Sequence, residues 1–432
     1  MIDALALFLM ISRLLTLFCL GWMLVACTAM PPARVQTPRA PLLLISIDGF
    51  RADYLNRGLT PTLNALADSG VRAEYMRPSF PSLTFPNHYA LITGLRPDRN
   101  GIVANTMEDD RIPGQKFTSW NREAIQNPNW WDEGVPLWTT AQRYGLNSGI
   151  MFWPGSEAPV HGSHPEFWST YDKKMQGISR VDQILAWLNL ADDQRPALMT
   201  LYLDTIDGVG HHFGPDSDEL NAELRVVDAT IRRLIDGLIE RGLDQSLNIV
   251  IVSDHGMVST SPERVVYLDE ILPDDFARVV SYGVLTGIVP KRGHGRDTEA
   301  ILLTRHDHMR CWRKSQLPER FHYGKNRRVP ALLCLANHGW IISDHASLAA
   351  KDHFSYGEHG YDIEDPDMRA IFIAQGPSLR KSLVLAPFDN VDVYPLLARL
   401  LGIEAEPNDG KFNEVRAALI DAEAPIRRSD AR

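Results

Sequence analysis

The chain has 432 residues, of which 44% are hydrophobic and 23% are charged, and it contains 30 Gly and 28 Pro. These proportions are typical of a globular protein and exclude collagen-like, coiled-coil and wholly disordered chains. The 54 acidic residues outnumber the 44 basic ones, and the formal charge of -10 has the wrong sign for a protein that binds extended nucleic acid.

The first residues of the chain predict export. Arg13 is followed by an apolar segment over residues 14–26 and then by Cys27, and this segment is shorter than the roughly 20 apolar residues that cross a membrane. Residues 24–27 resemble the bacterial lipobox, in which a peptidase cuts before a Cys that carries lipid. We therefore predict a signal peptide over residues 1–26, a lipid on Cys27 and attachment to a membrane through that lipid.

The residue after the predicted lipidation site indicates a location. Thr28 is not acidic, and an acidic residue here is associated with inner-membrane retention. We therefore expect a periplasmic, outer-membrane lipoprotein of a bacterial cell envelope. The alternatives are an uncleaved anchor, because residues 4–11 are also apolar, and a start at Met10.

The remainder of the chain divides into a linker, a folded domain and a tail. Residues 27–40 are rich in proline and have no periodicity, which is typical of a linker. We expect the folded domain to span residues 41–412, and residues 413–432 to form a weakly ordered C-terminal tail.

Four apolar segments have the continuous pattern of strands that are buried on both faces. They are residues 42–47, 197–203, 247–252 and 370–374. Helical patterns separate them, over residues 60–70, 181–190 and 220–238. This alternation predicts an α/β fold with a mostly parallel central sheet and helices on both faces.

Residues from about 265 to 350 interrupt this alternation and predict a smaller inserted subdomain. This region contains Cys311 and Cys334, which besides Cys27 are the cysteines of the predicted mature chain. Cysteines of exported proteins are usually bridged, so we predict a disulfide between them. The alternative is two separately buried thiols.

Carboxylate and imidazole side chains follow the predicted strands. Ligands bind beyond the carboxyl ends of the strands in an open α/β sheet, so we expect these side chains to share one metal site. Three Asp and three His without a thiolate favour catalytic Zn²⁺ over structural Zn²⁺, with Mn²⁺ as the alternative. The candidate ligands are Asp48, Asp207, His211, Asp254, His255 and His359.

Thr84 is a candidate nucleophile. It precedes a short predicted helix over residues 89–94, and the start of a helix favours an anion because of its free N–H groups and its positive dipole end. A hydroxyl group placed there can lose its proton and attack phosphorus. The alternative is that Thr84 only caps the helix.

Five separated blocks resemble the signature sequences of nucleotide pyrophosphatase/phosphodiesterases, a family of the alkaline phosphatase superfamily. The blocks are residues 47–51, 82–88, 207–211, 253–257 and 359–362. The resemblance runs from about residue 41 to about residue 410 and is strongest to the compact bacterial enzymes. It implies an alkaline phosphatase-like version of the predicted α/β fold.

The resemblance also implies how the candidate ligands divide between two Zn²⁺ ions per chain. One ion is held by Asp207, His211 and His359. The other ion is held by Asp48, Asp254, His255 and Thr84.

Four further residues match substrate-binding positions of the family. Asn105 matches an amide that holds a phosphate oxygen, with stabilisation of a turn as the alternative. Phe85, Tyr171 and Tyr202 match positions that meet the nucleotide base or lie beside it, with core packing as the alternative. Residues 204–207 depart from the family because they lack its usual Glu and Pro, which affects leaving-group recognition rather than metal chemistry.

The resemblance implies an enzyme that cleaves phosphodiester or pyrophosphate bonds of nucleotides and releases nucleoside 5′-monophosphates. Thr84 would carry the phosphoryl group in a covalent intermediate. The alternatives are a lysophospholipase C or a phosphonate hydrolase of the same superfamily, or a non-catalytic lipoprotein that binds zinc or a nucleotide.

Overall fold

A computed structural model describes residues 39–427 of the chain, and the predicted signal peptide, Cys27 and the linker up to residue 38 lie outside the described residues. The central feature is a sheet of eight strands. In chain order they are β1 Leu42–Ile47, β2 Val71–Ala73, β3 Ser148–Met151, β4 Phe167–Trp168, β5 Leu198–Leu203, β6 Asn248–Val252, β7 Phe372–Gln375 and β8 Leu383–Leu385.

The strands are arranged in the spatial order β8-β2-β7-β6-β1-β5-β3-β4. β1 lies in the interior of the sheet and pairs in parallel with β5 and with β6. β3 is parallel to β4 and to β5, and β2 is parallel to β8. The predicted mostly parallel sheet is therefore confirmed.

The exception is β7, which runs antiparallel to β6 and to β2. Parallel neighbours need a crossover that returns the chain to the starting end of the first strand. The long connection between β6 and β7 instead brings Phe372 beside Val252, where β6 ends. The apolar pattern identified this strand but not its direction.

Helices cover both faces of the sheet. Successive side chains of a strand point to opposite sides, so the apolar strands present hydrophobic side chains on both faces. Leu42 and Leu44 of β1 belong to one hydrophobic cluster, whereas Leu43 and Ile45 belong to another. The first cluster is covered by the helices Thr84–Thr93, Leu137–Arg143 and Val393–Leu401. The second is covered by the helices Pro61–Ser69, Gly177–Leu188 and Asp218–Glu240.

The longest helix of the described residues, Asp218–Glu240, shows how the sequence specifies these elements. The side chain of Ser217 accepts a hydrogen bond from the N–H group of Leu220, and Asp218 and Glu219 lie in the first turn near the positive end of the helix dipole. Its buried apolar residues are spaced three or four apart, so they form one stripe that faces the sheet. They include Leu220, Leu224, Val227, Ile231, Leu234 and Leu238.

A separate antiparallel sheet lies within the region predicted as an inserted subdomain. Its four strands, in spatial order, are Ala277–Ser281, Leu285–Pro290, Leu332–Ala336 and Met309–Arg313, and the helix Gly295–Leu302 accompanies them. Cys311 and Cys334 lie opposite each other on neighbouring strands with their Cα atoms 4.0 Å apart, and a disulfide joins them.

The remaining strands form pairs. They are Met76–Arg77 with Phe388–Asp389, Thr106–Met107 with Phe117–Thr118, Val258–Ser259 with Gly357–Glu358, and Val265–Tyr267 with Ile341–Ser343. The other α-helices are Pro97–Asn100, Arg122–Gln126, Thr205–Phe213, His345–Ala349 and Phe412–Val415. Among residues 39–427, no helix has the length and apolar character that crossing a membrane requires.

The packed region continues beyond residue 412, where the sequence predicts a tail. Val415, Ala418 and Leu419 are buried in the same hydrophobic cluster as Leu42. Leu419 also forms a β-bridge with Leu379. These apolar side chains recur within one short helical segment, so they pack against the domain rather than extend from it.

Candidate active site

The candidate ligands meet at the carboxyl ends of the central strands. Asp48 directly follows β1, Asp254 and His255 follow β6, and Asp207 lies in the helix that follows β5. Three groups that contain these side chains, one of them together with His88, offer ligand atoms that all lie within 4.8 Å of one another. They are Asp207 with His211 and His359, Asp48 with Asp207 and His255, and Asp48 with His88 and Asp254.

The glycine after Asp48 allows the end of β1 to lie close to the helix that contains Asp207. Gly49 has a φ of +67°, and a Cβ atom at this position would lie 3.0 Å from the Cα atom of Asp207. A larger residue would therefore push the Asp207 backbone away from the site. The N–H group of Gly49 also donates a hydrogen bond to Oδ1 of Asp254 over 3.2 Å.

The imidazole rings are oriented so that Nε2 faces the carboxylates. His255 Nε2 lies 3.0 Å from Asp254 Oδ2 and 3.6 Å from Asp48 Oδ1. His211 Nε2 and His359 Nε2 lie 3.4 Å and 3.6 Å from Asp207 Oδ1. These are the groupings that the family resemblance implies.

The opposite ring nitrogen of each histidine is fixed by a backbone carbonyl. Nδ1 lies 2.7 Å from Gly357 O in His211, 2.9 Å from Gly256 O in His255, and 2.9 Å from Ser82 O in His359. A carbonyl oxygen only accepts, so each Nδ1 carries the proton. In the neutral form of each ring, Nε2 then has the lone pair that a metal ligand needs.

The charges and unpaired atoms of the site fit divalent cations. Asp48 Oδ1, Asp207 Oδ1 and Asp254 Oδ2 are buried and have no hydrogen-bond partner among residues 39–427. Burial, together with the carboxylates of Asp254 and Asp207, raises the pKa of Asp48 well above its usual value. Unpaired buried carboxylates this close together are costly, and two adjacent cations would satisfy them.

The pKa of His359 is also displaced in the direction that metal binding requires. Burial and the neighbouring imidazoles of His255 and His211 lower its pKa well below the usual value. His359 is therefore neutral at physiological pH, as a metal-binding imidazole must be.

Thr84 is the first residue of the helix Thr84–Thr93. The N-cap residue is Leu83, and no side chain makes a capping hydrogen bond there, so Thr84 is not a helix cap. Its Oγ1 atom lies 3.3 Å from His255 Nε2. The half-buried hydroxyl thus borders the ligand group of Asp48 and His255 and the cleft beside it.

A cleft of about 970 Å³ opens from Thr84 and contains the predicted substrate-binding residues. Asn105 accepts a hydrogen bond through Oδ1 from the N–H group of Phe85 over 2.9 Å, which leaves its Nδ2 group as the donor it offers to the cleft. The cleft is lined by six aromatic residues, which is typical of a site for a planar ligand. They are Phe85, Trp120, Phe152, Trp153, Tyr171 and Tyr202.

The three predicted base-contacting residues occupy different settings. Phe85 is half-buried and packs beside Phe117 and Trp131, with ring centroids 5.7 Å and 6.1 Å away. Tyr171 is half-buried in the cleft wall. Tyr202 lies deeper, and its hydroxyl donates to Oδ2 of Asp48 over 2.5 Å, so it supports a candidate metal ligand.

Comparison with known proteins agrees with this geometry. Residues 42–362 match the model of the type I phosphodiesterase / nucleotide pyrophosphatase family. The chain belongs to this family. The predicted enzyme class, nucleotide pyrophosphatase/phosphodiesterase, is therefore confirmed, and the metal dependence of the family agrees with the three ligand groups.

The chain is similar to several eukaryotic family members. It is 35% identical to human ectonucleotide pyrophosphatase/phosphodiesterase family member 5 over 90% of this chain and 80% of the relative. It is 38% identical to an uncharacterized pyrophosphatase/phosphodiesterase of Schizosaccharomyces pombe over 87% of this chain and 79% of the relative. The strongest resemblance to compact bacterial enzymes stays a prediction.

Another relative and a solved structure relate the family to nucleotides. The chain is 34% identical to the bis(5′-adenosyl)-triphosphatase enpp4 of Xenopus laevis over 91% of this chain and 84% of the relative. The structure of murine ectonucleotide pyrophosphatase/phosphodiesterase 5, an inactive threonine-to-alanine variant in complex with AMP, superposes with a TM-score of 0.83. It is 33% identical, and the match covers 88% of this chain and 100% of that one. The alkaline phosphatase-like fold is thereby confirmed.

Sequence analysis of this phosphodiesterase overlooked His88. The ring is completely buried, with Nε2 2.8 Å from Ser46 Oγ and Nδ1 2.9 Å from Thr84 O. Nδ1 also lies 3.4 Å from Asp254 Oδ2. His88 is four residues after Thr84 and therefore on the same helix face, which is a spacing that the sequence does contain.

Proposed function

We propose that the chain is a two-zinc nucleotide phosphodiesterase that releases nucleoside 5′-monophosphates through a phosphothreonine intermediate on Thr84. The observation that carries this proposal is the position of the Thr84 hydroxyl, 3.3 Å from His255 Nε2 and beside carboxylate oxygens without partners. A hydroxyl in that position has no structural role that the contacts account for, but it is placed to attack a phosphorus atom bound at the same ligand group.

The ligand set supports zinc. Carboxylate oxygens and imidazole nitrogens without a thiolate are typical of catalytic Zn²⁺ sites. When bound, two zinc ions would supply positive charge that neutralises the phosphate and stabilises the entering and leaving oxygens. Asp207, His211 and His359, which form one group of ligand atoms, would hold one ion. Asp48, Asp254, His255 and Thr84 would hold the other, as the family resemblance implies.

The protein residues then account for two displacements at phosphorus. In the first, a bond forms between Thr84 Oγ and phosphorus, the bond from phosphorus to the leaving oxygen breaks with its electron pair on that oxygen, and the hydroxyl proton passes to solvent. In the second, water attacks the phosphorus and gives up a proton while the bond to Thr84 breaks. The Thr84 oxygen takes up a proton, which restores the threonine and releases the 5′-monophosphate. The start of the helix Thr84–Thr93 favours the negative charge that the phosphoryl group carries throughout.

Three residues of the cleft support recognition of a nucleotide. The Nδ2 group of Asn105 is available to donate to a non-bridging phosphate oxygen, because Oδ1 is occupied by the Phe85 N–H group. Phe85 and Tyr171 offer aromatic surfaces for the base. The frog relative named for diadenosine triphosphate hydrolysis and the AMP-bound murine neighbour support a nucleotide as the substrate class.

The test is substitution of the nucleophile. Thr84→Ala should keep metal and fold but lower turnover of the nitrophenyl ester of thymidine 5′-monophosphate by at least about a thousandfold. Thr84→Ser is the matched control and should retain a measurable fraction, because an oxygen remains. Near-normal turnover by the alanine variant, with metal content unchanged, would overturn the covalent mechanism.

The same assay separates the other members of the superfamily. Zinc-loaded protein should cleave dinucleotides and nucleoside triphosphates and should not cleave lysophospholipids. Preferred cleavage of choline phosphodiesters would instead favour a lysophospholipase C.

We also propose, from the sequence alone, that the enzyme is lipid-anchored in the periplasm at the outer membrane of a bacterial cell. The apolar segment that ends immediately before Cys27 supports this location. Cys27→Ser should leave an unprocessed precursor. If the Cys27→Ser variant is processed and fractionates with the membrane as the wild type does, the proposed lipid anchor is wrong.

A further inference from the structure

A chain of hydrogen bonds lies behind the tyrosine of the aromatic wall. The Tyr171 hydroxyl donates to Oδ2 of Asp204 over 2.6 Å. The other carboxylate oxygen, Oδ1, accepts from Nη1 of Arg180 over 2.7 Å. Arg180 is 2% exposed, so this carboxylate links a residue of the cleft wall to a buried guanidinium group.

The guanidinium group is itself fixed from several directions. Nη1 of Arg180 also donates to the carbonyl of Tyr202 over 2.8 Å, and Nε donates to the carbonyl of Met175 over 2.9 Å. Its central carbon lies 5.1 Å from the ring centroid of Phe152 and 5.7 Å from that of Tyr171, within the range of cation–π contacts. Arg180 therefore ties the helix Gly177–Leu188 to the end of β5 and to the aromatic wall.

Tyr171 needs such support because it lies between elements. It follows β4 and precedes the helix Gly177–Leu188, in a segment without regular secondary structure. Its N–H group donates to Oε1 of Glu157 over 3.1 Å, which holds the backbone, and its ring meets Phe152 edge-on at 5.1 Å. The hydrogen bond from the hydroxyl to Asp204 then restricts the orientation of the ring.

We propose that Asp204 and Arg180 are positioning residues that hold the Tyr171 ring ready to stack on the nucleobase of the substrate. This inference rests on the proposed function. It gives a role to Asp204, which lies in the segment 204–207 where the chain departs from the family's usual sequence. The pair acts on how tightly a base-bearing substrate binds and leaves the displacement at Thr84 unaffected.

The test compares two phosphodiesters that share a nitrophenolate leaving group. One is the nitrophenyl ester of thymidine 5′-monophosphate, which has a base, and the other is methyl nitrophenyl phosphate, which does not. With zinc-loaded full-length protein, Asp204→Asn should raise KM for the thymidine ester about fivefold to tenfold, which is the scale of a weakened stacking contact, with kcat within twofold. Both parameters for the methyl ester should stay within twofold of the wild type.

A second variant removes the same contact from its other end. Tyr171→Phe keeps the ring but loses the hydroxyl, so it should reproduce the Asp204→Asn effect. The double variant should be no worse than Asp204→Asn alone, because that variant already lacks the carboxylate that accepts from the Tyr171 hydroxyl. Asp236→Asn, an exposed isosteric change on the helix Asp218–Glu240, is the matched control and should behave as the wild type.

Two outcomes would overturn the inference, and a third would overturn the proposed function on which it rests. An unchanged KM for the thymidine ester in Tyr171→Phe contradicts it, and this variant decides alone should Asp204→Asn fail to fold. Equal losses on the two esters mean that the network only stabilises the fold. If the wild type cleaves neither ester, the proposed function is wrong. Loss of base binding alone differs from that outcome because cleavage of the methyl ester continues.

Discussion

Tyr202 donates its hydroxyl hydrogen to Oδ2 of Asp48 over 2.5 Å, within the core of the domain. Burial and the carboxylates around it, that of Asp48 first, raise the pKa of the Tyr202 hydroxyl well above its usual value, so the group remains a donor. The bond leaves Oδ1 of Asp48 as the oxygen that faces His255 Nε2. Tyr202 therefore orients a candidate metal ligand, a role that the base-contact prediction did not include.

Removal of this donor should weaken metal binding. We expect Tyr202→Phe to lower zinc affinity about tenfold to a hundredfold, the usual effect of losing a group that orients a ligand. The ring that lines the cleft is retained, so KM for a nucleotide ester should change little when zinc is saturating. Competition with a zinc chelator measures the affinity. An unchanged affinity would mean that Asp48 is oriented by the backbone alone.

The number of metal ions and their response to acid follow from the same carboxylates. We expect about two zinc ions per chain by elemental analysis. Because burial and two neighbouring carboxylates raise the pKa of Asp48, its proton competes with the metal at a higher pH than for an ordinary Asp. Zinc affinity should therefore fall as the pH is lowered towards and through that raised pKa, and recover as the pH rises.

The Asp48→Asn variant distinguishes protonation of Asp48 from acid unfolding of the whole protein as the cause of zinc loss. The amide cannot titrate, so the variant should bind zinc weakly at every pH and lose part of the pH dependence. Active protein without any transition metal would contradict the two-metal site.

The disulfide should stabilise the second sheet without contributing to the chemistry. Cys311 and Cys334 are 23 residues apart, and a loop of that size corresponds to about 3 kcal/mol in the chain-entropy model. The Cys311→Ala/Cys334→Ala variant should lose roughly that free energy of unfolding, with zinc content and turnover retained. Alkylation of the native, non-reduced protein checks the pairing, and two freely reacting thiols would contradict it.

The sequence predicted those features that depend on local pattern. The strands Leu42–Ile47 and Asn248–Val252 lie within one residue of their predicted bounds, because a strand buried on both faces has an uninterrupted apolar pattern. The meeting of Asp48 and Asp254 also followed from their positions after strands. These inferences need no knowledge of which side chains touch.

Partners distant in the chain were not predictable in this way. The contact between Tyr202 and Asp48 joins residues 154 positions apart and depends on the register of β1 against β5. The antiparallel direction of β7 depends on a connection that contains a whole second sheet. His88 was recognisable by spacing, but a histidine in a helix has too many ordinary roles for its spacing to identify one.

The cleft should prefer phosphodiesters over phosphomonoesters. A monoester dianion carries one more charge than a diester and needs an additional cationic group to hold it. Asn105, which accepts a hydrogen bond from the Phe85 N–H group, is the predicted phosphate-binding residue, and its amide is neutral. The cleft contains one Arg and one Lys: Arg122 is paired with Glu157 at 2.6 Å, and Lys173 lies two residues after Tyr171.

The thymidine nitrophenyl ester should therefore have a kcat/KM at least about a hundredfold above that of nitrophenyl phosphate, with base stacking contributing roughly 1–3 kcal/mol of the difference. Methyl nitrophenyl phosphate separates charge from stacking, because neither it nor nitrophenyl phosphate has a base. It should still be cleaved faster than the monoester. Faster cleavage of nitrophenyl phosphate would show that the site neutralises a dianion by a group other than Asn105, and the diester preference would be wrong while the two-metal site remained intact.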